Sequence, residues 1–161
     1  MKKIAVYPGT FDPVTNGHLD LIKRASYFVD KLFVGIGVNA SKATLFDLES
    51  RMKMLKTLTR EIDNVEVVSF KGLLVDFANE VGAMVIIRGL RAVSDYEFEL
   101  QLALMNRRLN SQVDTVFLMP DERYSYLNST IVREVARLGG DVSSFVAPLV
   151  ADKLKEKFKG E

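Results

Sequence analysis

The residues able to do chemistry in this chain are few and closely spaced. Its one histidine, His18, closes the stretch YPGTFDPVTNGH at residues 7–18, which holds two prolines and two glycines. The apolar residues before Tyr7 read as a strand, and the prolines and glycines after it read as a stiffened turn. Pro8 and Pro13 fix φ, Gly9 admits close backbone approach to a ligand, and Gly17 leads into a helix whose first amides point outward. Those amides, the Thr10 hydroxyl and the His18 ring form a set suited to phosphate. Ile22, Ala25 and Val29 follow His18 at helical spacing, which turns the ring inward toward the strand ends. The competing readings are a histidine bonded to a nearby carbonyl and, for Thr10, an ordinary turn hydroxyl. The positive end of a helix disfavours imidazolium, so His18 without ligand is expected to be neutral, and a polyphosphate to favour its charged or donor form.

Other cations stand elsewhere in the chain. Arg88 and Arg91 frame Gly89 at the end of an apolar run, where two guanidiniums suit an anion; the alternative is ion pairing with Asp95, Glu97 or Glu99. Lys42, in NASKATLFD, sits in a loop from which an ammonium can swing over phosphate, although taken alone it is only a loop lysine. Ser129 and Thr130 open a helix and offer hydroxyls and amides to phosphates, with an ordinary N-cap as the other reading. The chain has no cysteine, which removes disulfides, thiolate zinc sites and thiol nucleophiles and fits a reducing compartment. No Asp, Glu and His cluster has metal-site spacing, so a magnesium ion is expected to arrive on a phosphate substrate. A net charge of +1 supplies no general field for nucleic acid. No apolar run is long enough to cross a bilayer and no secretory signal is apparent, so a cytoplasmic location is expected.

What must position these residues is an alternation of short β-rich runs with segments of helical period. Strands are predicted near residues 4–7, 32–38, 65–70, 84–88 and 115–119. Helices are predicted near 17–29, 48–61, 73–81, 93–109 and 129–138, with a last one after Pro148. The pattern predicts an α/β, Rossmann-like open parallel sheet of about five strands with helices on both faces, folded as a single domain over residues 1–161. Ligands of such sheets bind beyond the carboxyl ends of the strands. Asp47 reads as a helix N-cap, Gly82 and Gly139 as helix stops, and Pro148 as a first-turn residue. The helix over 93–109 carries apolar residues on nearly every side, among them Phe98, Leu102 and Met105. One face should cover the sheet; the other marks either a subunit contact or a deeply buried helix. Gly35 and Gly37 fit a GxGxxA pattern, but they fall inside a strand with no helix opening after them, so a dinucleotide fingerprint is rejected.

Three motifs in order carry a resemblance to a known family. YPGTFDPVTNGH resembles the signature of nucleotidyltransferases sharing an HxGH element, written here Thr15-Asn16-Gly17-His18 with threonine in first position. IRGLRAVSDYEFELQLALMN, residues 87–106, and YSYLNSTIVREVA, residues 124–136, are similar to the phosphopantetheine adenylyltransferase family, and the similarity spans essentially the full length. The resemblance implies transfer of AMP from ATP to 4'-phosphopantetheine by direct in-line attack, giving dephospho-coenzyme A and pyrophosphate, with Mg2+ carried by ATP. It also implies a homohexamer and coenzyme A as a feedback ligand.

Matched residue by residue, the resemblance makes Thr10, His18, Lys42, Arg91 and Ser129 catalytic. It assigns to ATP Thr10, Phe11, His18, Gly89, Leu90, Arg91, Glu99 and the loop of Tyr124, Ser125, Tyr126, Leu127, Asn128, Ser129 and Thr130. Thr10, Lys42, Leu74 and Arg88 fall to the phosphorylated acceptor. Asn128 departs from the serine that related enzymes often carry. The residues suit this chemistry. A phosphate monoester with a second pKa of about 6 is already a nucleophilic dianion at neutral pH. The protein therefore has to align two polyanions and stabilise charge on the transferring and leaving groups. Two rivals stay open: a sister transferase using CTP or another acceptor, and a catalytically silent nucleotide-binding scaffold, which would need neither His18 nor Lys42.

Overall fold

The computed structural model describes residues 2–39, 43–91 and 93–159. Strand β1 (Ile4–Gly9) is followed by helix α1 (Asn16–Ser26), β2 (Lys31–Gly37), α2 (Leu48–Thr59), β3 (Val65–Phe70), α3 (Leu74–Glu80), β4 (Val85–Gly89), α4 (Val93–Leu109) and β5 (Asp114–Leu118). A short 3-10 turn, Glu122–Tyr124, then leads to α5 (Ser129–Arg137) and α6 (Pro148–Phe158). Every predicted strand and helix is present. Helix α1 stops earlier than the periodicity suggests: the Tyr27 and Phe28 amides bond back three residues, to Arg24 and Ala25, so Val29 lies beyond the helix.

All strand pairings are parallel and the order is β3-β2-β1-β4-β5. The chain builds outward from β1 to β3, then crosses back to place β4 on the other side of β1. This reversal makes the gap between the carboxyl ends of β1 and β4 the topological switch point, where an open sheet holds its ligand. Side chains alternate across the sheet as the pleat requires. Ala5 and Tyr7 of β1 join the larger core with Leu21 and Ile22 of α1, Leu55 of α2, Val132 of α5 and Leu154 of α6. Val6 points the other way, into a smaller core with Ile86 and with Val75, Phe77 and Ala78 of α3.

The helix ends follow their local chemistry. Asp47 caps α2 by accepting the Ser50 amide at 2.7 Å, and Pro148 is the first residue of α6. Gly82 and Gly139 stop α3 and α5 with φ of +70° and +77°, a left-handed turn that a side chain resists. Gly35 and Gly37 lie within β2, and a Cβ on Gly35 would meet the stacked rings of Phe70 and Phe77 at 3.1–3.2 Å. The glycine makes room for those rings. Helix α4 contacts β5 and α3, yet neither core includes any of its described residues. Phe98, Leu102, Met105 and Leu109, a single stripe at helical spacing, are 62%, 37%, 60% and 54% exposed. The deeply buried alternative for this helix is excluded within one chain.

Candidate active site

A cavity of about 310 Å³ opens at the switch point. Its walls come from the β1–α1 turn, the end of β4, the first turn of α1 and the first turn of α5. Two helix N-termini thus meet at one hollow, each with backbone N–H groups outside the helical ladder and a partial positive charge.

The β1–α1 turn is shaped around Phe11. This residue takes a φ of +50°, uncommon for a residue with a side chain, and the turn drives its ring into the core. There it meets Tyr7 and His18 edge-on, with centroid separations of 5.6 and 5.0 Å. A Cβ on Gly9 would lie 2.8 Å from that ring. Gly9 is therefore required by the close approach of Phe11, in addition to the ligand approach expected from the sequence.

Thr15, first of the four residues Thr15-Asn16-Gly17-His18, is the N-cap of α1: its hydroxyl accepts the His18 amide at 3.4 Å. The His18 ring answers in kind, its Nδ1 accepting the Thr15 backbone N–H at 3.0 Å, so the imidazole completes a reciprocal capping box. With Nδ1 an acceptor, a neutral ring carries its proton on Nε2. Burial, and then the positive charge of Arg91, lower the His18 pKa to about 4. The neutral state expected from the helix end is realised, and these two causes account for it.

At the end of β4, Arg88 forms a two-point pair with Glu99 of α4: Nε donates to Oε2 at 2.7 Å and Nη2 to Oε1 at 2.6 Å. Burial is the largest single influence and opposes the Arg88 charge, but the Glu99 bonds and charge together with Tyr7 and Asp95 outweigh it, leaving the guanidinium pKa raised. Arg91 pairs with Asp95 at 3.2 Å and donates to the Leu127 carbonyl at 2.9 Å. Ion pairing is the competing reading of these two arginines, and both pairs exist, with Arg88, Glu99 and Arg91 on the wall of the cavity.

Asn128 accepts the Ile131 amide at 2.9 Å and is the N-cap of α5, a role the sequence offers to Ser129 and Thr130. The Ser129 hydroxyl donates instead to the Pro13 carbonyl at 2.7 Å. Two further site residues are absent from the sequence reading. Arg133, four positions after Ser129 and so on the same helical face, lines the cavity and donates to the Asp12 carbonyl and the Thr130 hydroxyl. Buried Asp12 accepts the Leu45 and Phe46 amides at 2.8 and 2.9 Å and lies 3.6 Å from Arg133. It ties the β1–α1 turn to the segment that follows Lys42. Helical spacing is the available signal for Arg133; nothing local points to Asp12.

Of the residues expected from the sequence, Thr10, Phe11, His18, Arg88, Gly89, Arg91, Glu99, Tyr124, Leu127, Asn128, Ser129 and Thr130 line the cavity together. Leu90, Ser125 and Tyr126 do not; the Leu90 amide bonds the Leu118 carbonyl, and Tyr126 is exposed beside Phe145. Leu74 begins α3, half-buried against the smaller core, and also lies outside the cavity wall. Lys42 falls outside the described residues. Among the described residues no group of three or more His, Cys, Asp and Glu gathers as a metal site. The Asp12 carboxylate on the wall is held by the Leu45 and Phe46 amides beside Arg133, and that of Glu99 by Arg88.

A parallel sheet with an anion cradle at its switch point, built from an HxGH-like helix start, defines the nucleotidyltransferase class. Residues 6–135 match the cytidylyltransferase-like family. The phosphopantetheine adenylyltransferase of Caldanaerobacter subterraneus subsp. tengcongensis is 51% identical over 157 residues, 98% of each chain. A bifunctional NMN adenylyltransferase/ADP ribose pyrophosphatase from Francisella tularensis superposes with a TM-score of 0.75 at 16% identity, over 100% of this chain and 51% of that one. The nicotinic acid mononucleotide adenylyltransferase of Plasmodium falciparum gives 0.73 at 14% identity, over 97% and 96% of the two chains. These two likenesses concern the fold. The chain belongs to the cytidylyltransferase-like nucleotidyltransferases and, within them, to the phosphopantetheine adenylyltransferase family.

Proposed function

We propose that this protein transfers the AMP group of ATP to 4'-phosphopantetheine, releasing pyrophosphate and dephospho-coenzyme A for coenzyme A synthesis. The observation that carries this reading is the convergence, on one cavity, of two helix N-termini with His18, Arg88 and Arg91. An oxygen of the acceptor phosphate attacks the α-phosphorus of ATP. The bond from that phosphorus to the bridging oxygen of the β-phosphate breaks, and pyrophosphate carries away the electron pair. No proton has to move, because the attacking phosphate is already ionised. Arg88 orients the acceptor phosphate, Arg91 and the first turn of α5 hold the ATP phosphates, and His18 donates Nε2–H to the charge growing at the α-phosphate. By the family resemblance, Lys42 contributes a further cation. Magnesium enters as MgATP, held by phosphate oxygens and water, since the carboxylates on the wall are already engaged.

The apolar stripe of α4 and the family relationship support a homohexamer, with α4 at a subunit contact. Coenzyme A contains every group of the product plus one phosphate, which supports feedback binding in the same cavity. Absence of cysteine supports a cytoplasmic setting. The test of the reaction is incubation with magnesium, ATP and 4'-phosphopantetheine while pyrophosphate is followed, with CTP and other phosphorylated acceptors as controls. Release is expected with ATP and 4'-phosphopantetheine. Preference for CTP or another acceptor would select a sister transferase, and silence with every acceptor would select the scaffold reading.

A further inference from the structure

We propose that Glu99 is a positioning residue for Arg88, acting on the acceptor side of the reaction. The family resemblance places Glu99 with the nucleotide. Its carboxylate also meets Arg88 squarely, Oε2 on Nε at 2.7 Å and Oε1 on Nη2 at 2.6 Å. Glu99 is only 8% exposed, so neither oxygen is spread through solvent.

The guanidinium has five N–H groups in a rigid plane, and this pairing occupies the side edge formed by Nε and Nη2. The end edge, one Nη2 hydrogen and the Nη1 pair, is left facing other partners; the contact it makes is a long one, Nη1 to the Pro8 carbonyl at 3.4 Å. An end edge of this kind is the geometry that grips a phosphate at two points. Without the clamp, the long Arg88 side chain would sample several rotamers, and a phosphate would have to order it on binding. Glu99 lies on α4 and Arg88 on β4, so the clamp also couples the acceptor site to the helix that carries the apolar stripe.

This inference rests on the reading of 4'-phosphopantetheine as acceptor, and the experiment separates the two. Steady-state constants for both substrates are measured in wild type, Glu99→Gln, Glu99→Ala, Arg88→Lys and the Arg88→Lys/Glu99→Ala double variant, with melting temperature verifying folding. Glu99→Ala should raise the acceptor KM about tenfold or more, the loss of a charge-assisted pair, while the ATP KM changes little. Glu99→Gln should fall between, because one acceptor oxygen survives. Arg88→Lys removes the fork, so adding Glu99→Ala to it should change the acceptor KM far less than it does in wild type. A selective rise in the ATP KM, a fall in the acceptor KM, equal rises in both, or full additivity in the double variant would overturn the proposal.

A second readout does not depend on the acceptor's identity. The Arg88 Nε–Hε signal in nitrogen-resolved NMR should be protected from solvent in wild type and lose that protection in Glu99→Ala, and inorganic phosphate should perturb it only in wild type. Phosphate perturbing both proteins alike would overturn the positioning role. A wild-type enzyme inactive with 4'-phosphopantetheine yet showing the expected NMR behaviour would instead overturn only the choice of acceptor.

Discussion

At His18 the two ring nitrogens face different tasks. Nδ1 is tied to the Thr15 backbone amide, which fixes the ring's orientation and leaves the proton of the neutral form on Nε2. A donor held in this way is most useful where charge develops during the reaction, so His18→Ala should lower kcat by about two to three orders of magnitude while ATP still binds. Calorimetric ATP binding beside steady-state kinetics checks this; equal losses of affinity and turnover would contradict it. The lowered pKa has a consequence for stability as well. Between about pH 6.5 and 4 the unfolded chain takes up a proton at this histidine that the folded chain refuses. The contribution is complete above pH 6.5 and declines as pH falls toward 4. The melting temperature of wild type should therefore drop more across that window than that of His18→Gln, which has nothing to titrate there. An unchanging gap between the two proteins would show that His18 is not held neutral.

The helices α1 and α5 deliver their first turns to the same cavity, and each is capped by a residue of the motif that marks it. For α5 that residue is Asn128, whose side chain accepts the Ile131 amide. Serine at this position would cap the helix too, so the departure from the family pattern preserves the element. Asn128→Ala should remove about 1 kcal/mol of stability, a fall of roughly 2–4 °C in melting temperature, whereas Asn128→Ser should stay near wild type. Thermal denaturation of the two variants decides between capping and a role confined to the ligand. At the other wall, Arg91 reaches from just past the end of β4 to the Leu127 carbonyl, so the strand and the loop before α5 share one tether.

In the whole molecule, the sheet order places β1 beside β4 and so creates the cavity, while α4 is left with an open apolar stripe on one chain. Phe98→Glu with Met105→Glu should put two charges into that stripe and, if the proposed homohexamer forms through it, shift the native mass, measured by light scattering, toward a single chain. Both side chains are exposed in the monomer, so the fold should survive the change. An unaltered assembly would move the subunit contact to another surface. Because Glu99 and Phe98 are neighbours on α4, loss of assembly is also expected to weaken acceptor binding.

Local chemistry in the chain was enough to set the elements. Apolar β-branched runs made strands, Asp47 and Pro148 began helices, and Gly82 and Gly139 ended them, because these preferences act over a few residues and are legible in order. The place of the first turn of α1 at the carboxyl end of β1, and the inward-facing His18, were determined in the same way. Other facts depended on how side chains meet once the elements pack, which local preference does not fix. The tertiary structure alone decided that Phe11 would fill the space under Gly9, that Glu99, of the three acidic candidates the sequence offered, would be the one to clamp Arg88, that Asp12 would bind the segment after Lys42 and Arg133 together, and that Leu74 would turn to the smaller core. Ion pairs and close contacts of this kind form only when the folded chain brings their elements together, so their geometry belongs to the tertiary packing and not to local preference.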